Sequence, residues 1–310
     1  MRKLILTLIT MFVAISSNWA QDTVFQLHDS TAYNKEKHMY NVTLISNFEG
    51  VQLTVSGKIG KHDYVDLGLP SGVLWATCNI GAKTPVGTGD FFAWGETKKK
   101  KEYNWNTYKW SEITKNGTYT DANGKEKPAY KKIQTKYCAN SYIEYEGKKY
   151  VKKGAIMDSM NTLLPVDDAA AVHWGDRWRI PTIEEIEELI EWCDWLWVPN
   201  YNKTGIAGIM GVSKINEAFI FFPAAGFMFN KNHNDEGKFG AYWSSNLVKN
   251  VDFRQNILDP SGRSMGFYFG NKIGIAWVRS NWDDRMFGML VRAVCSPQEG
   301  ENASIIYKKE

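Results

Sequence analysis

One amphipathic helix between two strand-rich halves is the feature that most constrains how this 310-residue chain can fold. Thr182 and Glu185 form a capping box at its start. Apolar residues then recur at helical spacing, at Ile183, Ile186, Leu189, Ile190 and Cys193. Five glutamates cover the opposite face, which we interpret as a solvated acidic surface rather than as paired catalytic carboxylates. A second, short, Ala-rich helix is predicted at 167–174.

Strands are predicted on both sides of these helices, from short alternating or β-branched runs. The runs are 42–45, 51–55, 64–67, 73–78, 218–223, 241–245, 265–270, 273–278 and 286–294. The polar stretch 83–150 is predicted to be a loop-and-hairpin excursion, with turns at Asn116-Gly117 and Asn123-Gly124. Residues 56–60 are predicted to be a linker. Strands, two helices and further strands indicate the α+β class.

The first twenty residues have the pattern of a cleavable secretion signal. Arg2 and Lys3 precede an apolar stretch at 4–15, which is shorter than the ~20 residues that span a bilayer. Ala20 supplies a small residue just before the expected cut. We therefore expect an exported protein that is soluble in the periplasm or outside the cell and has no stable membrane anchor. The alternative is an uncleaved anchor.

Charge and aromatic content indicate the class of partner. The net charge is +3, and it falls to +1 when residues 1–20, whose only charged residues are Arg2 and Lys3, are removed. A nearly neutral chain gives no support for nucleic-acid binding. The chain contains 13 Trp, 15 Tyr and 15 Phe, more rings than its core needs. We expect some of them to be exposed for recognition of sugars or proteins.

No motif of a catalytic or metal site stands out. None of the five histidines has two-His metal spacing, and neither GxSxG nor a phosphate loop occurs. An alternating polar run resembles a calcium loop only weakly, and a polar surface loop explains it better: Asn230, Asn232, Asn234 and Glu236. Asp167 and Asp168 are explained by helix capping. We predict no cofactor, with calcium as the weaker alternative.

Seven segments, taken together and in order, have the pattern of one family of exported bacterial domains. They are 63–79 (DYVDLGLPSGVLWATCN), 92–97 (FAWGET), 167–170 (DDAA), 174–182 (WGDRWRIPT), 223–226 (PAAG), 242–245 (YWSS) and 288–294 (GMLVRAV). They resemble the Fibrobacter succinogenes major paralogous domain family. Ala293 stands where that family usually has proline, a change that restores a backbone donor to the strand.

The resemblance implies a C-type-lectin-like fold of the kind shared with sulfatase-modifying-factor domains. Together with the secretion signal and the strand pattern, it divides the chain into a signal peptide at 1–20, a short β-rich extension at 21–60, the lectin-like domain at 62–296 and a polar tail at 297–310. The sulfatase-modifying relatives include enzymes with a reactive cysteine pair. No matching motif occurs in the C-terminal half, so that activity is not carried over.

The resemblance also implies a pairing between cysteines. In that fold the first and last strands of the domain pair, and Cys78 ends one of these strands while Cys295 ends the other. A Cys78–Cys295 contact or disulfide follows as a hypothesis, with Cys138 and Cys193 left as a second pair. Free buried thiols are the alternative.

A ligand-binding face is implied at 246–287, the region that forms the exposed binding face in lectin-like domains. Its aromatic and hydrogen-bonding residues are the candidates: Asn246, Asp252, Arg254, Trp277, Arg279, Asn281, Trp282, Asp283 and Arg285. We expect four of them to be exposed, namely Trp277, Arg279, Trp282 and Arg285. Strand alternation predicts that Phe267 and Phe269 point one way and Tyr268 the other. Phe267, Phe269 and Phe287 are assigned to the core.

We therefore expect a non-enzymatic domain that binds an extracellular glycan or protein. Two alternatives stay open. One is an enzyme acting on cell-surface polymers. The other is a structural subunit of a surface assembly, in which 21–60 is an attachment strand.

Overall fold

The computed structural model describes residues 54–138, 158–248, 263–272 and 275–297, together with the backbone of several short strands elsewhere in the chain. A few strand residues inside these ranges are likewise described by their backbone alone. Antiparallel strands dominate, with two α-helices among them. The predicted α+β class is confirmed at this level.

The strands are numbered in chain order. They are β1 (Thr10–Met11), β2 (Phe25–Gln26), β3 (Tyr33–Asn34), β4 (Met39–Leu44), β5 (Gly57–Ile59), β6 (His62–Val65), β7 (Leu74–Asn79), β8 (Ser111–Thr120), β9 (Glu126–Gln134), β10 (Tyr142–Tyr145), β11 (Lys148–Val151), β12 (Cys193–Val198), β13 (Gly208–Ser213), β14 (Phe219–Pro223), β15 (Phe227–Phe229), β16 (Asn232–Asn234), β17 (Phe239–Leu247), β18 (Arg263–Lys272), β19 (Ile275–Asp284) and β20 (Arg292–Cys295). The helices are α1 (Ala169–Trp174) and α2 (Ile183–Trp192), with 3-10 turns at Pro165–Asp167 and Tyr201–Lys203.

The largest sheet has the strand order β14-β13-β12-β4-β19-β18-β17, with β3 beside β4. Its pairings are antiparallel except for β12 with β4, which is parallel. Strand β4 comes from the N-terminal extension and lies between β12 and β19, where Val42 pairs with Ala276 and Thr43 with Leu196. The extension therefore supplies an inner strand of this sheet.

A second sheet has the order β20-β7-β6-β5. Strands β7 and β20 pair in it, so the predicted strand 73–78 and the closing strand of the main domain are neighbours. Residues 57–59, predicted as part of a linker, instead form β5 and pair with β6. Gly60 has a φ of 61° in the turn between these two strands, a conformation that glycine adopts without strain. Buried Ile59 fixes which face of the hairpin turns inward.

Helix α2 confirms the predicted amphipathic pattern from Ile183 to Ile190, whereas Cys193, predicted as part of the same face, begins β12. The hydroxyl of Thr182 accepts from the Glu185 N–H at 3.3 Å, and the Glu185 carboxylate accepts from the Thr182 N–H at 2.8 Å. The apolar side of the helix is buried in a core, named here the first core, that includes Trp195, Phe267 and Phe269. Burying one such side chain stabilises a fold by about 1.5–3 kcal/mol.

Strand β18 separates this first core from a second one. Phe267 and Phe269 belong to the first core, whereas Tyr268 belongs to the second core with Trp94 and Trp243. The predicted alternation is confirmed. Phe287 is half-buried and packs against the second core.

The polar excursion forms the β8–β9 hairpin, as predicted, but only one of its two predicted turns is a turn. Asn123 and Gly124 lie in the connection between the strands. Gly117 lies inside β8, where the register shifts between Lys115 and Thr118. Its φ of 77° bends the strand at this bulge instead of ending it. Neither of the helices in the described part of the chain has the length and apolarity needed to cross a membrane.

Candidate ligand-binding site

Four of the predicted binding residues lie on one face of β19. Trp277, Arg279, Asn281 and Asp283 alternate along the strand, and successive side chains of a strand point to opposite faces. All four are partly exposed. We refer to these four residues as the β19 stripe. On the other face Ala276 and Val278 are buried in the first core, and the Ser280 hydroxyl donates to Glu187 of α2 at 3.1 Å, so the stripe faces away from α2.

Two glycines of the neighbouring strand lie beside the stripe. The β18–β19 register places Gly270 opposite Trp277 and Gly266 opposite Asn281. A Cβ at Gly270 would lie 3.0 Å from the Trp277 ring, so the indole packs directly on the backbone there. Phe239 of β17 supports the same indole, with the ring centroids 6.0 Å apart. The Trp277 ring is therefore held in place at one end of the stripe. Further along the stripe, no side chain of β18 lies opposite Asn281.

Arg279 is the charged centre of the stripe. Its guanidinium lies 5.0 Å from the centroid of the Trp277 ring, within the range of a cation–π contact. Its Nε is buried and has no hydrogen-bond partner in the described structure. Burial lowers the pKa of Arg279 below its ordinary value, while the nearby Tyr268 acts in the opposite direction. The group stays protonated at neutral pH, because an arginine does not lose its proton in a protein.

The expectation that Arg285 is exposed was wrong, because the residue is fully buried. Its guanidinium donates to the Gln134 side-chain oxygen at 2.6 Å and to the Tyr137 carbonyl at 3.0 Å. It also lies 5.3 Å from the Trp94 ring and 5.5 Å from the Tyr108 ring. Arg285 follows the last residue of β19, so strand alternation no longer applies and the chain turns inward beneath 134–137.

Asn246 is also buried, which contradicts its predicted place on an exposed binding face. Its side-chain oxygen accepts from the Ile183 N–H at 2.8 Å, and its amide nitrogen donates to the Thr162 hydroxyl at 3.2 Å. It therefore joins β17 to the start of α2. Asp252 and Arg254 lie outside the described residues, as does the side chain of Trp282, whose backbone pairs with Met265.

The predicted Cys78–Cys295 pairing was wrong, although β7 and β20 do pair. Cys295 lies opposite Leu74, four residues from Cys78 and hence roughly 13 Å away along the strand. A disulfide needs Cα atoms within about 7 Å of each other. Antiparallel neighbours end at opposite edges of a sheet, so residues that end both strands do not meet. Cys138 and Cys193 are also free thiols, and burial raises the pKa of Cys193.

The acidic and amide-rich segments have structural roles. Asp168 is the N-cap of α1, as predicted, and its carboxylate accepts from the backbone N–H groups of Ala170 and Ala171. The run 230–236 includes β16, which forms a hairpin with β15. Among the described residues, no group of three or more His, Cys, Asp or Glu side chains is placed to share a metal ion.

One polar cluster was not predicted from the sequence. The Asp167 carboxylate accepts from Lys136 Nζ at 2.6 Å, from the Tyr137 hydroxyl at 2.7 Å and from Lys109 Nζ at 3.3 Å. Both ammonium groups lie over the ring of Trp110, at 4.0 Å and 4.7 Å from its centroid. The cluster attaches the end of the β8–β9 hairpin to the turn before α1. The sequence contains two adjacent aspartates, Asp167 and Asp168, and only one of them is needed to cap α1. The other carboxylate was the signal from which this cluster could have been predicted.

Comparisons with known proteins found no matching family model, no matching curated protein and no matching solved structure. Function must then be argued from the chemistry of the site, since a fold alone does not specify one. The site offers one ring, one guanidinium, one amide and one carboxylate on a single strand face.

Proposed function

We propose that this protein is an exported, non-enzymatic binding domain with a C-type-lectin-like scaffold, and that a glycan or protein ligand binds to the β19 stripe. The observation that carries the proposal is that Trp277, Arg279, Asn281 and Asp283 share one partly exposed strand face. An aromatic ring supplies rigid contact area, and the three polar groups supply directional hydrogen bonds. This mixture is typical of recognition sites.

The scaffold part of the proposal draws support from the course of the chain. Strands β7 and β20 pair, as the first and last strands of a lectin-like domain do, and α2 packs against β17, β18 and β19. The export part draws support from the charged start, apolar stretch and small residue within 1–20. An exported protein meets ligands outside the cytoplasm, which makes a glycan or a surface protein the natural class.

We favour a binding function over the alternative of an enzyme that acts on cell-surface polymers. Glycoside hydrolysis commonly needs two carboxyl groups on either side of one bond. Asp283 and Asp284 are adjacent on a strand and so point to opposite faces. The Asp284 N–H also donates to the Asp283 carboxylate at 2.8 Å, which engages that carboxylate locally.

A glycan array and a pull-down with the mature chain, each run with three variants, test the proposal. Asn281→Ala removes a side-chain amide that lies opposite a glycine of β18. If that amide makes a charged or bidentate contact with the ligand, the substitution should weaken binding at least about tenfold. Trp277→Ala should weaken binding further. Tyr119→Ala is the matched aromatic control, because Tyr119 is exposed on the β8–β9 hairpin. The proposal fails if Asn281→Ala and Trp277→Ala bind as the wild type does while all variants unfold at the same temperature.

A further inference from the structure

We propose that the β19 stripe recognises the carboxylate of an acidic sugar, and that Arg279 is the residue that binds it. The inference rests on the proposed function and names its ligand class. The Arg279 guanidinium is partly buried, and among the described residues its Nε–H has no hydrogen-bond acceptor. A desolvated cation without an anion is unfavourable, and a bound anion would remove that cost.

The other buried arginines show what a purely structural guanidinium looks like in this protein. Arg292 donates to the Asn79 side chain at 2.9 Å and to the backbone carbonyls of Ala76 at 3.2 Å and Phe221 at 3.0 Å. Arg285 is also held by carbonyl oxygens, which accept from its terminal nitrogens, although its Nε, like that of Arg279, has no partner among the described residues. Arg285 and Arg292 also lie over aromatic rings, but both have oxygen acceptors as well, whereas the contact found for the Arg279 guanidinium among the described residues is with the Trp277 ring.

The geometry around Arg279 favours a planar anion. The guanidinium lies over the Trp277 ring, and Gly270 and Phe239 fix that ring from behind. A cation–π contact uses none of the guanidinium's N–H donors, and these donors form a fork that matches a carboxylate. Trp277 is thus a positioning residue for Arg279, and this pre-organisation lowers the entropy lost on binding.

The rest of the stripe favours a sugar as the carrier of that carboxylate. Asn281 and Asp283 follow at successive steps of about 7 Å along the strand, and both side chains are partners for hydroxyl groups. The Asp283 carboxylate on the same face would repel a ligand with many negative charges, such as a nucleic acid. A protein partner would need a larger apolar centre than one indole. An acidic sugar combines one carboxylate with several hydroxyls, which matches the order of the stripe.

The test compares acidic glycans with their neutral methyl esters. The probes are oligomers of galacturonate, of mannuronate and of glucuronate-containing hyaluronan, and sialyllactose, each with its methyl ester, and a sulfated oligosaccharide without carboxylates. Affinities are measured by calorimetry at two salt concentrations with the mature wild-type chain. We expect at least one acid to bind ten or more times as tightly as its ester, about the effect of one charge-assisted hydrogen-bonded pair.

The variants assign the effect to Arg279. Arg279→Gln should abolish the preference for the acid over the ester, and Arg279→Lys should keep only part of it, because an ammonium lacks the fork. Lys115→Gln, which removes one positive charge from the exposed β8–β9 hairpin, should leave the preference unchanged. Thermal unfolding of every variant separates binding effects from folding effects, and the acid-to-ester ratio of the wild type stands even if one variant fails to fold.

Each outcome supports or overturns the inference. Equal binding of every acid and its ester, a preference that survives in Arg279→Gln, or equally tight binding of the sulfated probe would overturn it. Binding of neutral glycans that depends on Asn281 but not on Arg279 would overturn the inference while leaving the proposed function intact. Failure of every glycan and every protein to bind would overturn both.

Discussion

The guanidinium of Arg285 donates a hydrogen bond of 2.6 Å to the side-chain oxygen of Gln134. Gln134 ends β9, and Arg285 directly follows β19, so this contact joins two segments that are 151 residues apart in sequence. The rings of Trp94 and Tyr108 enclose the same guanidinium. Arg285 therefore belongs to the core, although it is only six positions beyond Arg279 in the chain.

These two arginines are expected to respond differently to substitution. Arg285→Met should lower the free energy of unfolding by about 2–5 kcal/mol, because it leaves the Tyr137 carbonyl oxygen and the Gln134 side-chain oxygen buried without their Arg285 donor. Arg279→Gln should change it by less than about 1 kcal/mol, because the Arg279 Nε–H donates no hydrogen bond to any described residue. Urea unfolding followed by tryptophan fluorescence measures both, and equal losses would contradict the distinction.

Features encoded within a few residues could be predicted from the sequence. The 3.6-residue period of the apolar residues and the Thr182–Glu185 capping box predicted α2. The alternation of Phe267, Tyr268 and Phe269 predicted which side chains lie on each face of β18. In both cases each residue's direction follows from the local backbone geometry. The same local rule explains why four candidates of the β19 stripe share one face.

Features that depend on distant segments could not be predicted in this way. Strand β12 begins directly after α2, with no Gly or Pro to mark the change, and β13 contains glycines that disfavour a strand. Position 211 requires glycine because the Trp195 ring packs against it, 2.9 Å from where a Cβ atom would lie. The burial of Arg285 likewise requires 134–137 to fold over it.

The four cysteines should behave as thiols. Unfolded in guanidinium without reductant, the protein should take up four alkyl groups, because none of its cysteines forms a disulfide. In the folded protein Cys78 should react first, since it is partly exposed while Cys138, Cys193 and Cys295 are buried. Intact-mass spectrometry over time measures both. Two alkyl groups instead of four in the unfolded sample would show a disulfide and would contradict the assignment of all four cysteines as thiols.

Asp168 should be sensitive even to an isosteric change. One carboxylate oxygen accepts from Ala170 and Ala171, and the other accepts from the Ile180 N–H at 2.8 Å. Asp168→Asn places an NH₂ group against one of these N–H donors and should lower the free energy of unfolding by about 1–3 kcal/mol. Asp176→Asn, an exposed change nearby, is the control for the lost charge. Similar unfolding midpoints for the two variants would argue against the role of Asp168.

Strand β4 should be needed for the integrity of the large sheet. Val42 lies where β4 is flanked by β12 and β19, so its strand has hydrogen-bonding neighbours on both sides. Val42→Pro removes a donor from an inner strand and should cost about 2–4 kcal/mol. Val55→Pro, at an exposed residue outside the described strands, should cost much less. Thermal unfolding and light scattering compare the two, and an unaffected Val42→Pro would mean that β4 contributes little to the sheet.

His62 should make stability depend on pH. Its imidazole stacks on the Trp174 ring with centroids 3.8 Å apart and meets the Trp178 ring edge-on. Burial lowers the pKa of His62 below its ordinary value of 6.5, Lys61 and Lys58 act in the same direction, and Asp63 opposes them. A proton titration by NMR should therefore give a midpoint below 6.5 in the folded protein.

The sign of the resulting stability change follows from linkage. Below pH 6.5 the unfolded chain takes up a proton at His62 that the folded chain resists, so stability falls as the pH drops from 6.5 toward the lowered folded pKa. His62→Phe keeps an aromatic ring against Trp174 and removes the titration. The difference in unfolding free energy between wild type and His62→Phe should be constant well above pH 6.5 and should move against the wild type as the pH falls below 6.5. A difference that moves in favour of the wild type as the pH falls would mean that the folded state raises the His62 pKa, and Asp63 would then outweigh burial.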